Sequence, residues 1–335
     1  MAFTTPVCQL LGRHDPLACA DYLWVAPPLD EGLSAQTGIS LWATDHGHAK
    51  RYRQIGIDVH EGLTPPETLT TVNGVLLFWP KSQALGQWWL DQLCTWLPEG
   101  TPLAVVGEHQ SGVKRVPCLL EAIGMSAQRD DNARRCSLFS THTIKNTASN
   151  DAGWTQFEAL GFQLASHLGV FGHGKLDEGT ALLLEHLPDK LKGHVLDVGC
   201  GGGIISAALA RRGVEVTAID VDHFALEATR RTLALNSEEG KVIASDMLAD
   251  VSGRFDAIVS NPPFHQARAV DIGPATRLIA EAPDHLKRHG KLYIVANAFL
   301  PYREPLERTF SQVEEIAVTT RFKVYCAAMP HRFAR

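Results

Sequence analysis

Asn261-Pro262-Pro263-Phe264 closes an apolar run, residues 255–260, with residue types suited to holding a planar, conjugated amine. The Asn side-chain carbonyl and the Pro262 carbonyl can each accept a hydrogen bond from one NH2 group. The prolines lack N–H donors and fix φ, so the turn is stiff and its carbonyls face outward. Phe264 offers a stacking face for a base turned out of its helix. An amine conjugated to a ring is a poor nucleophile. Two fixed acceptors stabilise the charge that develops on it as it attacks a methyl donor, which points to methyl transfer. The same tetrapeptide also serves as a Pro-Pro stop on a buried strand, so its neighbours have to decide between the two.

Upstream, residues 195–203 form a short apolar strand that runs into Gly199, Gly201 and Gly203, and an Ala-rich helix follows up to Gly213. Glycines there let the backbone turn sharply and approach a ligand at a helix N-terminus. A second strand, residues 215–219, ends in Asp220, about 20 residues past the glycines, where a Rossmann-type fold places its ribose-hydroxyl acceptor. A third, residues 242–245, ends in Asp246-Met247, suited to an adenine amino group and an apolar wall. Dinucleotide binding competes with this picture, and Gly202 blurs the glycine spacing. Asp197, two residues before the first glycine, would repel a pyrophosphate but not an amino group or a sulfonium, which favours S-adenosylmethionine over NAD. Each acid alone is commonly a solvated loop residue or a helix cap. Four strand ends in order, carrying glycine loop, acid, acid and Asn-Pro-Pro-Phe, make the combined signal.

The elements that must position these residues alternate strand and helix, which predicts α/β architecture with doubly wound, mainly parallel sheets. The chain has 335 residues, 45% hydrophobic and 20% charged, enough for one or two globular domains with real cores. A polar stretch, about Ser140 to Gln156, reads as a linker and divides the chain into domains 1–145 and 155–335. No run of about 18 apolar residues and no basic-then-apolar N-terminus occurs, so a cytoplasmic protein with no membrane association is expected. Seven cysteines without a C-x-x-C pair and histidines without H-E-x-x-H predict reduced thiols and no metal site. A net charge of −6 excludes a global basic field, so an RNA would have to be met by a local patch or through its shape.

The first half reads as a worn copy of the second. Residues 40–45 resemble 216–220, a strand ending in an acid. Residues 75–81 resemble 257–263, with Trp79-Pro80 where the amine-binding turn should be. Residues 97–107 parallel 286–296, and residues 134–139 stand where 321–325 stand later. With no Gly-x-Gly loop and no Asn-Pro-Pro, the first half should bind no cofactor.

The 197–203 loop, Asn261-Pro262-Pro263-Phe264-His265, residues 296–302 and residues 321–325 resemble the ribosomal RNA small subunit methyltransferase C family of bacterial 16S rRNA guanine-N2 methyltransferases. So do Trp79-Pro80-Lys81, residues 105–108, 111–113 and 133–136 of the first half, so the likeness covers nearly the whole chain. The resemblance implies tandem Rossmann-like methyltransferase domains of which only the C-terminal one binds S-adenosylmethionine. It also implies a specific guanine of 16S rRNA within a small-subunit particle as the target, and a monomeric enzyme. Asn261, Pro262 and Phe264 would hold the base, while Asp197, Gly199, Gly201, Gly203, Asp220, Asp246, Met247 and Phe171 would hold the cofactor. Residues 169–171 with Asp177, Gly179 and Thr180 resemble the family's wall around the methionine end and target base; no role carries over to His173 or Lys175. The N-terminal domain would be a binding or orienting platform for RNA, using Lys81, Lys114, Arg115, Arg134 and Arg135. Three other readings stay open: the sister 23S rRNA guanine-N2 methyltransferase, a glutamine-N5 protein methyltransferase, and a non-catalytic RNA-binding or assembly module on the same fold.

Overall fold

A computed structural model describes residues 3–14, 17–35, 39–149, 151–170, 172–262, 265–266, 269–270 and 273–331. Its contacts divide the chain into two units, Met1–Trp154 and Thr155–Arg335.

The first unit contains α1 (Pro6–Leu11), β1 (Leu23–Val25), β2 (Ser40–Ala43), α2 (His46–Gln54), β3 (Asp58–Glu61), β4 (Val75–Phe78), α3 (Gln83–Trp96), β5 (Pro102–Glu108), α4 (Val116–Ala122), β6 (Gln128–Ala133) and β7 (Cys136–His142). Its sheet runs β3-β2-β1-β4-β5-β7-β6. Tryptophans dominate the interior. Trp24, Trp42 and Trp89 are fully buried, and Trp42 meets Trp89 edge-on at 5.1 Å, a favourable quadrupole arrangement.

The second unit contains β8 (Trp154–Ala159), β9 (Phe162–His167), α5 (Glu178–His186), β10 (His194–Val198), α6 (Ile204–Arg211), β11 (Glu215–Asp220), α7 (His223–Leu235), β12 (Lys241–Ala244), β13 (Phe255–Ser260), β14 (His265–Gln266), β15 (Ala269–Val270), α8 (Gly273–His285), β16 (Leu286–Asn297), α9 (Arg303–Thr309), β17 (Phe310–Val318) and β18 (Phe322–Pro330). The main sheet runs β12-β11-β10-β13-β16-β18-β17. Side chains alternate across it with the period of a pleated strand. Val195 and Val259 join Leu183, Ile205 and Leu209 on one face, whereas Leu196 and Ile258 join Leu278, Ile279 and Leu306 on the other. The order reverses between β10 and β13, where open α/β sheets bind ligands beyond their carboxyl ends.

Strand for strand the two orders are the same, which bears out the duplication expected from sequence. Both sheets are mixed rather than purely parallel. β7 and β18 enter antiparallel because each is joined by a short turn to the edge strand it pairs with. The polar stretch taken for a linker is largely ordered structure. Ser140–His142 complete β7, and the residues after them are strapped along α3. Asn146 Nδ2 donates to Asp91 O at 3.3 Å, Ala148 N to Thr95 Oγ1 at 2.9 Å, and Trp88 Nε1 to Ala152 O at 2.7 Å. Its polar residues satisfy a helix flank, a use that composition alone does not separate from solvation. Among the described residues no helix is long and apolar enough to cross a membrane.

Candidate active site

β10 ends in a corner that only glycine takes without strain. Gly199 (φ 72°), Gly201 (φ 53°) and Gly203 (φ 81°) all lie in the left-handed region. A Cβ at Gly199 or Gly201 would meet nothing within 4 Å, so open space lies over the loop at the start of α6. At Gly203 the reason is packing as well, because a Cβ there would sit 2.7 Å from the Thr229 Cα of α7. Asp220 binds the corner from the end of β11: its Oδ2 accepts from Gly201 N and its Oδ1 from Asp222 N, each at 3.0 Å. The carboxylate remains partly exposed, and each of its oxygens can accept more than one donor.

Asp197 lies behind this loop, fully buried in β10. Ser206 donates its hydroxyl to Oδ2 at 2.6 Å, while Oδ1 has no hydrogen-bond partner among the described residues. Burial, opposed in part by the Ser206 hydrogen bond and assisted by the charge of Asp220, lifts the carboxyl to about 7. The expectation of a carboxylate repelling a pyrophosphate is weakened accordingly: lifted to about 7, the group is only partly ionised near neutral pH. The fit to a cationic cofactor survives in another form, since the orphaned Oδ1 is a buried acceptor awaiting a donor.

After β12, Ser245 N donates to Asp220 O at 3.0 Å and brings Asp246 and Met247 beside the end of β11. Met247 (φ 51°) packs against the core. Asp246 is committed elsewhere: Arg277 of α8 donates to Oδ1 at 2.8 Å, to Oδ2 at 3.2 Å and to the backbone carbonyl at 2.6 Å. An adenine amino group would have to share this carboxylate with a guanidinium, a link that sequence did not disclose.

At the end of β13, Ser260 is fully buried and donates to Val198 O at 2.8 Å, tying the two central strand ends together. Asn261 follows. Its Nδ2 donates to Asp177 Oδ2 at 2.8 Å and to Thr180 Oγ1 at 2.7 Å, both on the first turn of α5. Its Oδ1 is buried and has no hydrogen-bond partner among the described residues. A buried amide oxygen with no donor is costly, of order 1–3 kcal/mol, unless a ligand supplies one. Pro262 is buried next to it. Phe264, expected to stack on the base, and Phe171, expected on the cofactor wall, lie outside the described residues. His173 hydrogen-bonds through Nδ1 to Ser166 Oγ at 2.9 Å.

In the first unit Trp79, at the place of Asn261, is 5% exposed. Asp45, aligned by sequence with Asp220, proves to be the N-cap of α2, accepting from His48 N at 2.8 Å. Asp222 does the same for α7. Equating Asp45 with Asp220 is therefore corrected: a short polar acid after a strand is as good a helix cap as a ligand acceptor. Lys81 follows the end of β4, Lys114 and Arg115 follow β5, and Arg134 and Arg135 form the β6–β7 turn, whose Cys136 pairs with Glu108 at the end of β5. All five are exposed, beyond the carboxyl ends of β4 and β5 or in the β6–β7 turn, and none has an ion-pair partner among the described residues.

A glycine corner with room over it, an acid on the next strand, and an unsatisfied amide oxygen across the switch point are the parts that move a small group from a nucleoside cofactor to an amine, and in this strand order they define a Rossmann-like methyltransferase. Family models agree: residues 161–326 match the methyltransferase small domain, and residues 16–157 match the methyltransferase small domain N-terminal. The chain is 53% identical to ribosomal RNA small subunit methyltransferase C of Chromohalobacter salexigens, over 99% of this chain and 100% of that protein. It is 37% identical to the protein of the same name from Yersinia pestis, over 98% and 97% of the two chains. It therefore belongs to the ribosomal RNA small subunit methyltransferase C family. The solved structure of a T. thermophilus 16S rRNA N2 G1207 methyltransferase in complex with AdoMet and guanosine superposes with a TM-score of 0.83 at 24% identity, covering 97% of this chain and 92% of that one, and shares the fold.

Proposed function

We propose that this chain methylates the exocyclic N2 amine of one guanine in 16S rRNA with S-adenosylmethionine as donor, the base being turned out of its helix into the site. Guanine 1207, the target in the name of the T. thermophilus neighbour, is the assigned base. The observation that carries this reading is the buried Asn261 Oδ1, which has no partner among the described residues, matches an NH2 and is otherwise a liability. Bound S-adenosylmethionine supplies a methyl group made electrophilic by its sulfonium. Gly199, Gly201, Gly203 and Asp220 would hold its nucleoside and Asp197 Oδ1 its cationic end. Asn261 Oδ1 and the Pro262 carbonyl orient the amine. As the N–C bond forms and the S–C bond breaks, releasing S-adenosylhomocysteine, the nitrogen becomes cationic, and these two oxygens stabilise that charge. Its proton then leaves to water, so no strong general base is required. Positioning and electrostatics supply most of the rate.

The first unit serves as the RNA platform through Lys81, Lys114, Arg115, Arg134 and Arg135. These cations have no ion-pair partner among the described residues and lie beyond the carboxyl ends of β4 and β5 or in the β6–β7 turn, in a chain with a net charge of −6 and no global basic field. The working form is a cytoplasmic monomer that acts on a small-subunit particle. Methylation of free rRNA, a partial particle and the assembled subunit with labelled donor, followed by mapping of the modified nucleotide, tests this. Label at N2 of one 16S guanine, fastest on a particle, is expected; label in 23S rRNA or in protein would contradict it.

A further inference from the structure

An asparagine amide is symmetric in shape but not in chemistry, and which end faces the substrate decides whether it can accept from an amine. A nitrogen turned toward the NH2 would set donor against donor. In this protein both hydrogens of the Asn261 amide are already used. Asp177 opens α5, and its Oδ2 accepts from Thr180 N at 2.9 Å. The same oxygen accepts from Asn261 Nδ2 at 2.8 Å, and Thr180 Oγ1 accepts from that nitrogen at 2.7 Å. The Thr180 hydroxyl hydrogen is turned back onto Asp177 Oδ2, at 3.4 Å, which leaves its lone pairs for Asn261. An ionised carboxylate only accepts, so the amide nitrogen has to face it and the oxygen has to face away. Gly179 keeps this clamp close, since a Cβ there would lie 3.0 Å from Asp177 Oδ2 and 3.2 Å from the Phe322 ring. A negative charge behind the NH2 also polarises the amide and strengthens Oδ1 as an acceptor, as happens along any hydrogen-bond chain in a low dielectric.

We propose that Asp177 and Thr180 are positioning residues for methyl transfer: they lock the Asn261 amide with its oxygen toward the acceptor amine and back it with negative charge. This rests on Asn261 being that acceptor. The test is single-turnover methylation by the full chain, with S-adenosylhomocysteine affinity measured alongside. Asp177→Ser keeps an N-cap side chain but is too short to reach Asn261, and Thr180→Val removes the hydroxyl while keeping the shape. Asp177→Ser should slow transfer by about ten- to a hundredfold and Thr180→Val by about tenfold, with Thr180→Ser restoring the rate and cofactor-product affinity unchanged throughout. In an Asn261→Ala background, Asp177→Ser should change the rate by less than about twofold, because a residue acting through Asn261 has nothing left to position. A wild-type rate for Asp177→Ser, a rate loss that simply follows lost affinity and melting temperature, or full multiplication of the two effects in the double variant would each overturn the proposal. A wild-type rate for Asn261→Ala by itself would instead overturn the assignment of Asn261, and the clamp with it.

Discussion

The two halves of the molecule keep one strand order and part company at three strand ends. Val25 pairs with Leu77 as Asp197 pairs with Val259, so a valine stands where the second half buries its carboxyl. Val25 also pairs with Trp42 as Asp197 pairs with Ala218, which puts Thr44 at the place of Asp220. Pro27-Pro28-Leu29 stands where Gly199-Cys200-Gly201 makes the corner, and Trp79 replaces Asn261. The Trp79 side chain fills the space: Cβ atoms added at Gly86 and Gly107 would come within 2.6 and 2.7 Å of it. What survives is a pocket of about 300 Å³ lined by Phe78, Trp79, Val106, Asp45 and His48 among others. A doubly wound sheet needs buried strands and covering helices, whereas the chemistry sits in a handful of residues just beyond them. One half could therefore lose the site without losing the fold.

Substitutions at matched positions test this contrast. The largest effect is expected at Asn261. Asn261→Ala removes one of two fixed acceptors and should slow methyl transfer by about a hundredfold or more, by analogy with loss of one oxyanion-hole donor. Trp79→Phe, at the matching position, should leave the single-turnover rate within about twofold, because that position only packs.

Next comes the buried pair Asp197 and Val25. The fold lifts the Asp197 carboxyl to about 7, against about 3.9 in an unfolded chain, so the folded state holds the proton more tightly. Its stabilising contribution is complete below about pH 4 and is lost as pH rises through about 7. Asp197→Asn, neutral throughout and still able to accept from Ser206, should leave stability unchanged near about pH 4 and raise it by up to about 4 kcal/mol at about pH 8. Thermal unfolding across that range checks the sign; a pH-independent difference would contradict it.

The smallest effects are expected at the basic residues of the first half. Replacing Lys81, Arg134 and Arg135 with Gln should weaken RNA binding and flatten its salt dependence by about 0.7–0.9 in log–log slope for each phosphate no longer neutralised. Binding of S-adenosylhomocysteine should not change. An unaltered salt slope would leave these side chains as ordinary solvated surface.

The contrast between the halves was legible in sequence wherever the chemistry is local. The 197–203 corner, Asp220 and the Asn261-Pro262 turn each occupy a few consecutive residues at a strand end, and the worn copy showed through the same strand ends with other residues in place. Partners brought together by folding were not legible. Asp177 and Asn261 lie 84 residues apart, and Arg277 reaches Asp246 from 31 residues away. The first link turns a wall segment into a clamp on the Asn261 amide, and the second gives a supposed adenine acceptor to a guanidinium. Asp45 misled for the opposite reason, since an acid after a strand is equally suited to capping the helix that comes next. The stretch from Ser140 to Gln156 misled because a polar segment strapped to a helix has the composition of a solvated one.

Calorimetric titration of the full chain with S-adenosylhomocysteine tests most directly the claim that one half binds and reacts while the other only keeps the fold. One site per chain is expected, weakened by roughly 1–3 kcal/mol in Asp220→Ala and unchanged in Asp45→Ala, which loses only a helix cap. Two sites per chain, or a single site weakened by Asp45→Ala and indifferent to Asp220→Ala, would contradict it.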